Sequence, residues 1–105
     1  MNAILVLTNL PDRESAEQLA TQLVEQRQAA CVQILAPCTS IYHWRGKTES
    51  AQEFPLLIKT TRERYADVER TLCGQHPYEL PEILHVPVTG GLPAYLNWIS
   101  EETTD

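Results

Sequence analysis

Basic side chains are scarce in this chain. Eight lysines and arginines stand against fourteen aspartates and glutamates in 105 residues, a formal net charge of −6. The eight are scattered, with no basic stripe to follow a phosphate backbone, so nucleic acid is not the expected partner. Cysteine is also sparse. Cys31, Cys38 and Cys73 make an odd number with no CxxC pair. That argues against a disulfide scaffold and a zinc ribbon, and fits a reducing compartment. No glycine-rich phosphate motif is present, nor any Ser-His-Asp or Cys-His motif, so nucleotide binding and catalysis are not expected. The opening apolar run "AILVLT" is too short to cross a bilayer and lacks the basic start of a leader. A cytoplasmic protein without a membrane partner is the expectation.

What is present reads as one domain over residues 1–105, since 43% of residues are hydrophobic and spread along the chain. "NAILVLTNL" reads as a buried strand. Asp12 is a good N-cap for a helix whose apolar stripe is Ala16, Leu19, Ala20, Leu23 and Val24, ending near Gln28. "ACVQILAPCTSIYHW" is a long strand broken or bulged at Pro37. "RGK" is a tight turn in which Gly46 supplies a positive φ, and "TESAQEFPLLIKT" returns as the partner strand. Thr61 can cap a second helix, with Gly74 as its stop. "EILHVPV" is a fourth strand, and "PAYLNWISEE" a terminal helix with Pro93 in its first turn. The order is β-α-β-β-α-β plus one helix. This predicts an α+β, ferredoxin-like sandwich with a long hairpin between its second and third strands.

Two features do not suit a monomer of that shape. The first strand is apolar on both sides, Ala3, Leu5 and Leu7 alternating with Ile4 and Val6, whereas helices cover only one sheet face. The hairpin arms, at roughly 3.3 Å per residue, reach about 43 Å. A compact domain of this size is about 33 Å across. Both predict a homo-oligomer.

The stretch "HPYELPEILHVP" gathers His76, Glu79 and Glu82, an imidazole and two carboxylates suited to zinc or Cu(II). Its other reading is a stiff connection, with Pro77 and Pro81 fixing the turn, Tyr78 filling a groove and the glutamates in water. Cys31 is a soft thiolate for Cu(I), or a small buried hydrophobe. Cys73, three residues before His76, fits no established zinc spacing. His85 reads as a packed or interfacial residue. Tyr42 and Trp44, beside Arg45 and Lys47 at the hairpin tip, are typical interface anchors, the alternative being an anion-binding loop. Lys59 and Tyr78, with Glu79, would line a cleft between subunits.

"AACVQI", "TSIYHWRGK", "LLIKT", "HPYELPEI" and "PVTGGLPAYLNWI" together resemble the CutA (CutA1) family, in order and over nearly the whole chain. The resemblance implies a ferredoxin-like fold, a tight trimer and a likeness to PII signalling proteins. It also implies a link to copper and other divalent ions in bacteria, and to cholinesterase anchoring in animals. Copper or another divalent cation is then the expected ligand, with no cofactor required; a small anionic ligand or partner protein is the PII-like alternative. Three positions depart from the pattern. Pro55 stands where relatives carry an aliphatic residue, so a break or bulge in the third strand is expected. Thr8 stands where some carry cysteine, which weakens a copper site there. Cys38 and Cys73 fall outside the signature positions, whereas Cys31 lies within one.

Overall fold

The first strand, β1 (Ala3–Leu10), alternates as its apolar pattern requires. Ile4, Val6 and Leu10 are buried on one face, while Leu5 and Leu7 are half-buried on the other. These details come from a computed structural model, which describes residues 2–104. Asp12 then starts α1 (Arg13–Glu25), its carboxylate accepting the Ser15 backbone N–H at 2.7 Å. The helix ends three residues before the expected Gln28. Arg27 takes the left-handed conformation at φ 57, which lets the Gln28 N–H donate to the Leu23 carbonyl at 2.9 Å and close the end.

The second expected strand is split into β2 (Cys31–Ile34) and β3 (Cys38–Trp44), with the break at residues 35–37. Arg45 and Gly46, at φ 50 and 82, form a two-residue turn of the kind whose twist matches a hairpin. The chain returns as β4 (Lys47–Thr61), fifteen residues long. A 3-10 turn at Arg62–Arg64 leads into α2 (Tyr65–Gln75), then β5 (Leu84–Pro87) and α3 (Pro93–Glu102). The sheet order is β2-β4-β1-β5, antiparallel throughout, with β3 pairing β4 beyond the end of β2. This is the ferredoxin-like arrangement, with α1 and α2 on one face. The main core joins Ile4, Val6 and Ile58 of the sheet to Leu19 and Leu23 of α1 and Val68 and Leu72 of α2. On the other face α3 covers only one end, where Ile99 meets Ala3 and Ala30.

Pro55 does not break its strand. The register runs without a slip from Leu10↔Phe54 through Asn9↔Pro55 to Thr8↔Leu56. The Pro55 carbonyl accepts the Leu35 N–H at 2.9 Å, so its backbone polar edge faces the 35–37 segment rather than β1. The missing donor therefore falls where the opposing strand is already irregular. Between Ile34↔Leu56 and Cys38↔Glu53 the β2–β3 side carries the extra residue. Two helix signals also resolve differently. Thr61 makes no side-chain cap, because the 3-10 turn intervenes. Gly74 lies inside α2, and the helix stops at His76, whose N–H still reaches the Leu72 carbonyl.

The molecule extends 45 × 25 × 23 Å, so the hairpin overhangs its own domain as its length requires. One core position is polar. Thr8 is 1% exposed beneath the helices, and its hydroxyl finds no hydrogen-bond partner among the described residues. Thr8→Val keeps the shape and removes that polar group. It is expected to raise stability by about 1–2 kcal/mol, read as a higher urea midpoint with an unchanged slope. A lower midpoint would show that the hydroxyl is satisfied.

Candidate functional site

A cleft of about 570 Å³ opens between the hairpin and the 76–83 connection. Its walls bring together Tyr42 and Trp44 of β3, Glu53 of β4, Asn9 of β1, and Tyr78 and Glu82 of the connection. The overhanging hairpin supplies one wall because β3 pairs only with β4. The other wall is fixed by His76. Its Nε2 lies 2.7 Å from the Asn9 carbonyl, and its Nδ1 lies 3.2 Å from the Tyr78 backbone N. A carbonyl only accepts and a backbone N–H only donates, so His76 is neutral with its proton on Nε2. Tyr78 stacks obliquely on the imidazole, with ring centroids 4.8 Å apart.

Glu53 is only 8% exposed. The Tyr78 hydroxyl donates to its carboxylate. Burial first, then that hydrogen bond and charge, push the Tyr78 phenol well above its ordinary range, so it remains a neutral donor. Asn9 Nδ2 donates to Glu82 Oε1 at 3.0 Å. At the tip Arg45 pairs with Glu79 and lies over the Trp44 ring, 5.2 Å from its centroid. That pair is exposed on both sides and holds the tip only weakly.

Burial lowers the His76 pKa below its ordinary 6.5, partly offset by the Asn9 carbonyl and by Glu53. A depressed folded pKa means that the unfolded chain takes up the proton first as pH falls. The contribution is present above pH 6.5 and is lost as pH drops through the folded pKa. Unfolding midpoints measured downward from pH 7 should fall for the wild type. The fall should be shallower in His76→Gln, which has no proton to take up; parallel curves would contradict this assignment.

The structure brings Tyr42, Trp44, Tyr78 and Glu82 to one cleft and leaves the other proposed residues outside it. Glu79 is at its rim with Arg45. Within one chain Lys59 lies away from Tyr78 and Glu79. It donates to the Tyr95 hydroxyl of α3 at 3.3 Å, with its ammonium 5.5 Å from that ring's centroid. Cys31 pairs with Lys59 in register, four β4 positions from Pro55, the partner of Asn9; that separation is about 13 Å. Cys31 and His76 therefore belong to different ends of the sheet. No three His, Cys, Asp or Glu side chains among the described residues are grouped to hold a metal. His85 is exposed and stacks on Tyr65, with ring centroids 4.3 Å apart. Sequence reasoning missed Asn9 and Glu53. The available signal was the two-residue period, which puts Glu53 on the same side of β4 as Leu57 and Lys59.

A ferredoxin-like βαββαβ domain with an overhanging hairpin and a carboxylate-lined aromatic cleft is the class that these features define. The family model of the CutA1 divalent ion tolerance protein matches residues 4–102. The divalent-cation tolerance protein CutA of Thermus thermophilus is 41% identical over 94% of this chain and 96% of its own length. The crystal structure of CutA from Xylella fastidiosa superposes with a TM-score of 0.96 at 43% identity, covering 99% of this chain and all of that one. The chloroplastic protein CutA of Arabidopsis thaliana is 36% identical over 96% of this chain, which spans 56% of that relative. The chain belongs to the CutA1 divalent ion tolerance family.

Proposed function

We propose that this chain acts in divalent-cation tolerance as a non-enzymatic homotrimer, contacting copper or another divalent cation weakly in a reducing, cytoplasmic compartment. The observation that carries the reading is the uncovered sheet face. Leu5, Leu7 and Leu57 are half-buried there, and Leu84 and Val86 are 56% and 42% exposed. Tyr95 and Trp98 of α3 extend the same surface at 41% and 39% exposure. An apolar face of this extent suits burial against copies of the same chain, and the overhanging hairpin reaches outward to meet them. The family likeness supports three copies. Three free cysteines support a reducing compartment. Among the described residues no helix is long and apolar enough to cross a membrane.

Weak metal contact follows from dispersed donors. Cys31, His76, Glu79 and Glu82 do not form one site within a chain. His76 has both ring nitrogens engaged, Glu79 holds Arg45, and Glu82 holds Asn9. Half-buried Cys31 remains as a soft donor for Cu(I). The PII-like alternative, a small anion in the cleft, gains no support from a lining that carries two carboxylates and no lysine or arginine. Calorimetric titration of reduced protein with Cu(I) tests the metal part. Cys31→Ser should weaken uptake at least about tenfold, and His76→Ala should leave it unchanged. Equal uptake by wild type and Cys31→Ser would remove the thiolate from the account.

A further inference from the structure

The cleft has a chemistry that tolerance to metal ions does not use. Three aromatic rings, Tyr42, Trp44 and Tyr78, face a space that also holds the carboxylates of Glu53 and Glu82. Glu53 is withdrawn from water, and charge attraction strengthens as the surroundings become less polar. Each carboxylate spends one known bond within the chain, Glu53 on the Tyr78 hydroxyl and Glu82 on Asn9. A carboxylate offers about four lone-pair positions, so both retain acceptor capacity. Arg45, a base at the rim, lies on Trp44 and already pairs with Glu79. That contact shows the Trp44 ring accepting a cation at the edge of the same cleft.

We propose that this cleft binds a small organic cation, an alkylammonium or alkylguanidinium. The charge would meet Glu53 and Glu82, and the apolar body would lie against Tyr42, Trp44 and Tyr78. A bare hard cation suits it poorly, because such ions take six or more oxygen ligands and no three His, Cys, Asp or Glu side chains are grouped among the described residues. An anion would meet two carboxylates unopposed. A cavity of about 570 Å³ is within the usual range for small-molecule sites, and its wall combines apolar surface with a few placed polar groups. The site goes beyond the proposed tolerance role and needs neither the Cys31 thiolate nor a metal; in the proposed trimer the hairpin that carries Tyr42 and Trp44 also meets a neighbouring copy, which would border the cleft.

The test uses this chain in its native assembly in calorimetry, with n-butylguanidinium and tetramethylammonium as probes and n-butanol and butyrate as neutral and anionic controls. Saturable binding of both cations is expected, at least about tenfold tighter than n-butanol, with none for butyrate. Glu82→Gln and Trp44→Leu should each weaken cation binding at least about fivefold, while Cys31→Ser leaves it unchanged. Glu82 is exposed, so its replacement keeps the fold even if Glu53→Gln does not. Three results would overturn the proposal: no saturation by either cation at about 10 mM, equal affinity for n-butanol, or undiminished binding in Glu82→Gln. Loss of Cu(I) uptake in Cys31→Ser with intact cation binding would separate this site from the metal reading.

Discussion

Leu84→Asp is expected to reduce the native mass from about 36 kDa to that of the 11.9 kDa chain at low micromolar concentration, while the circular dichroism of the fold persists. Leu84 pairs with Leu7 in the register and projects from the outer face. At 56% exposure in the isolated subunit, it contributes little to the subunit's own core. An aspartate there costs the single chain almost nothing. In an assembly that covers the face, the same carboxylate loses its water without gaining a partner, at several kcal/mol per copy. The sheet face is about 400 Å², and covering it contributes roughly 10 kcal/mol at about 25 cal/mol per Å² before association costs. A desolvated charge in each copy is enough to reverse that balance. An unchanged mass would show that the outer face is not the contact.

Ile58→Ala should destabilise the fold by about 3–4 kcal/mol, and Ile58→Val by about 1 kcal/mol. Ile58 is fully buried in the last third of β4, between Val6 of β1 and Val32 of β2 in the register. It belongs to the cluster in which the sheet meets α1 and α2, so nothing mobile can fill the space left. The contrast is Gln18→Ala on the exposed side of α1, expected within about 0.5 kcal/mol. Denaturant midpoints at one fixed protein concentration compare them, since association also contributes to apparent stability. A cost below about 1 kcal/mol for Ile58→Ala would mean that β4 is not the centre of the core.

Local chemistry made much of the fold legible. Asp12 and the stripe from Ala16 to Leu23 define α1 because capping and a 3.6-residue period act within one segment. Arg45–Gly46 defines the hairpin through backbone dihedrals alone. The misread positions are those where distant residues decide. Gly74 looked like a stop, but α2 runs one residue past it, and the His76 ring that follows is held by the Asn9 carbonyl, 67 residues away. Arg62 N–H reaches the Asn2 carbonyl at 2.8 Å, and the 3-10 turn there removes Thr61 from the cap position. Pro55 is harmless because its polar edge meets an irregular segment of the opposing strand, which no reading of β4 alone reveals.

The site was half legible for the same reason. Aromatics at the tip and in the connection suggested a cleft between subunits; the cleft that Tyr42, Trp44 and Tyr78 line here lies within one chain. The grouping of His76, Glu79 and Glu82 is only partly kept within one chain. His76 and Glu82 both reach Asn9, one at its carbonyl and the other at its side-chain amide, whereas Glu79 turns to Arg45. β5 is a related case. Its sequence reads as a strand, and all four of its residues are exposed in the single chain. Burial of that apolar pattern would need the proposed assembly of copies.

The outer face of the sheet is thus proposed to lie between copies of this chain. Native mass spectrometry of the wild-type protein at low micromolar concentration tests it most directly. The account predicts one species near 36 kDa, three times the 11.9 kDa chain. A species near 12 kDa, with Leu84 and Val86 left in water, would contradict it.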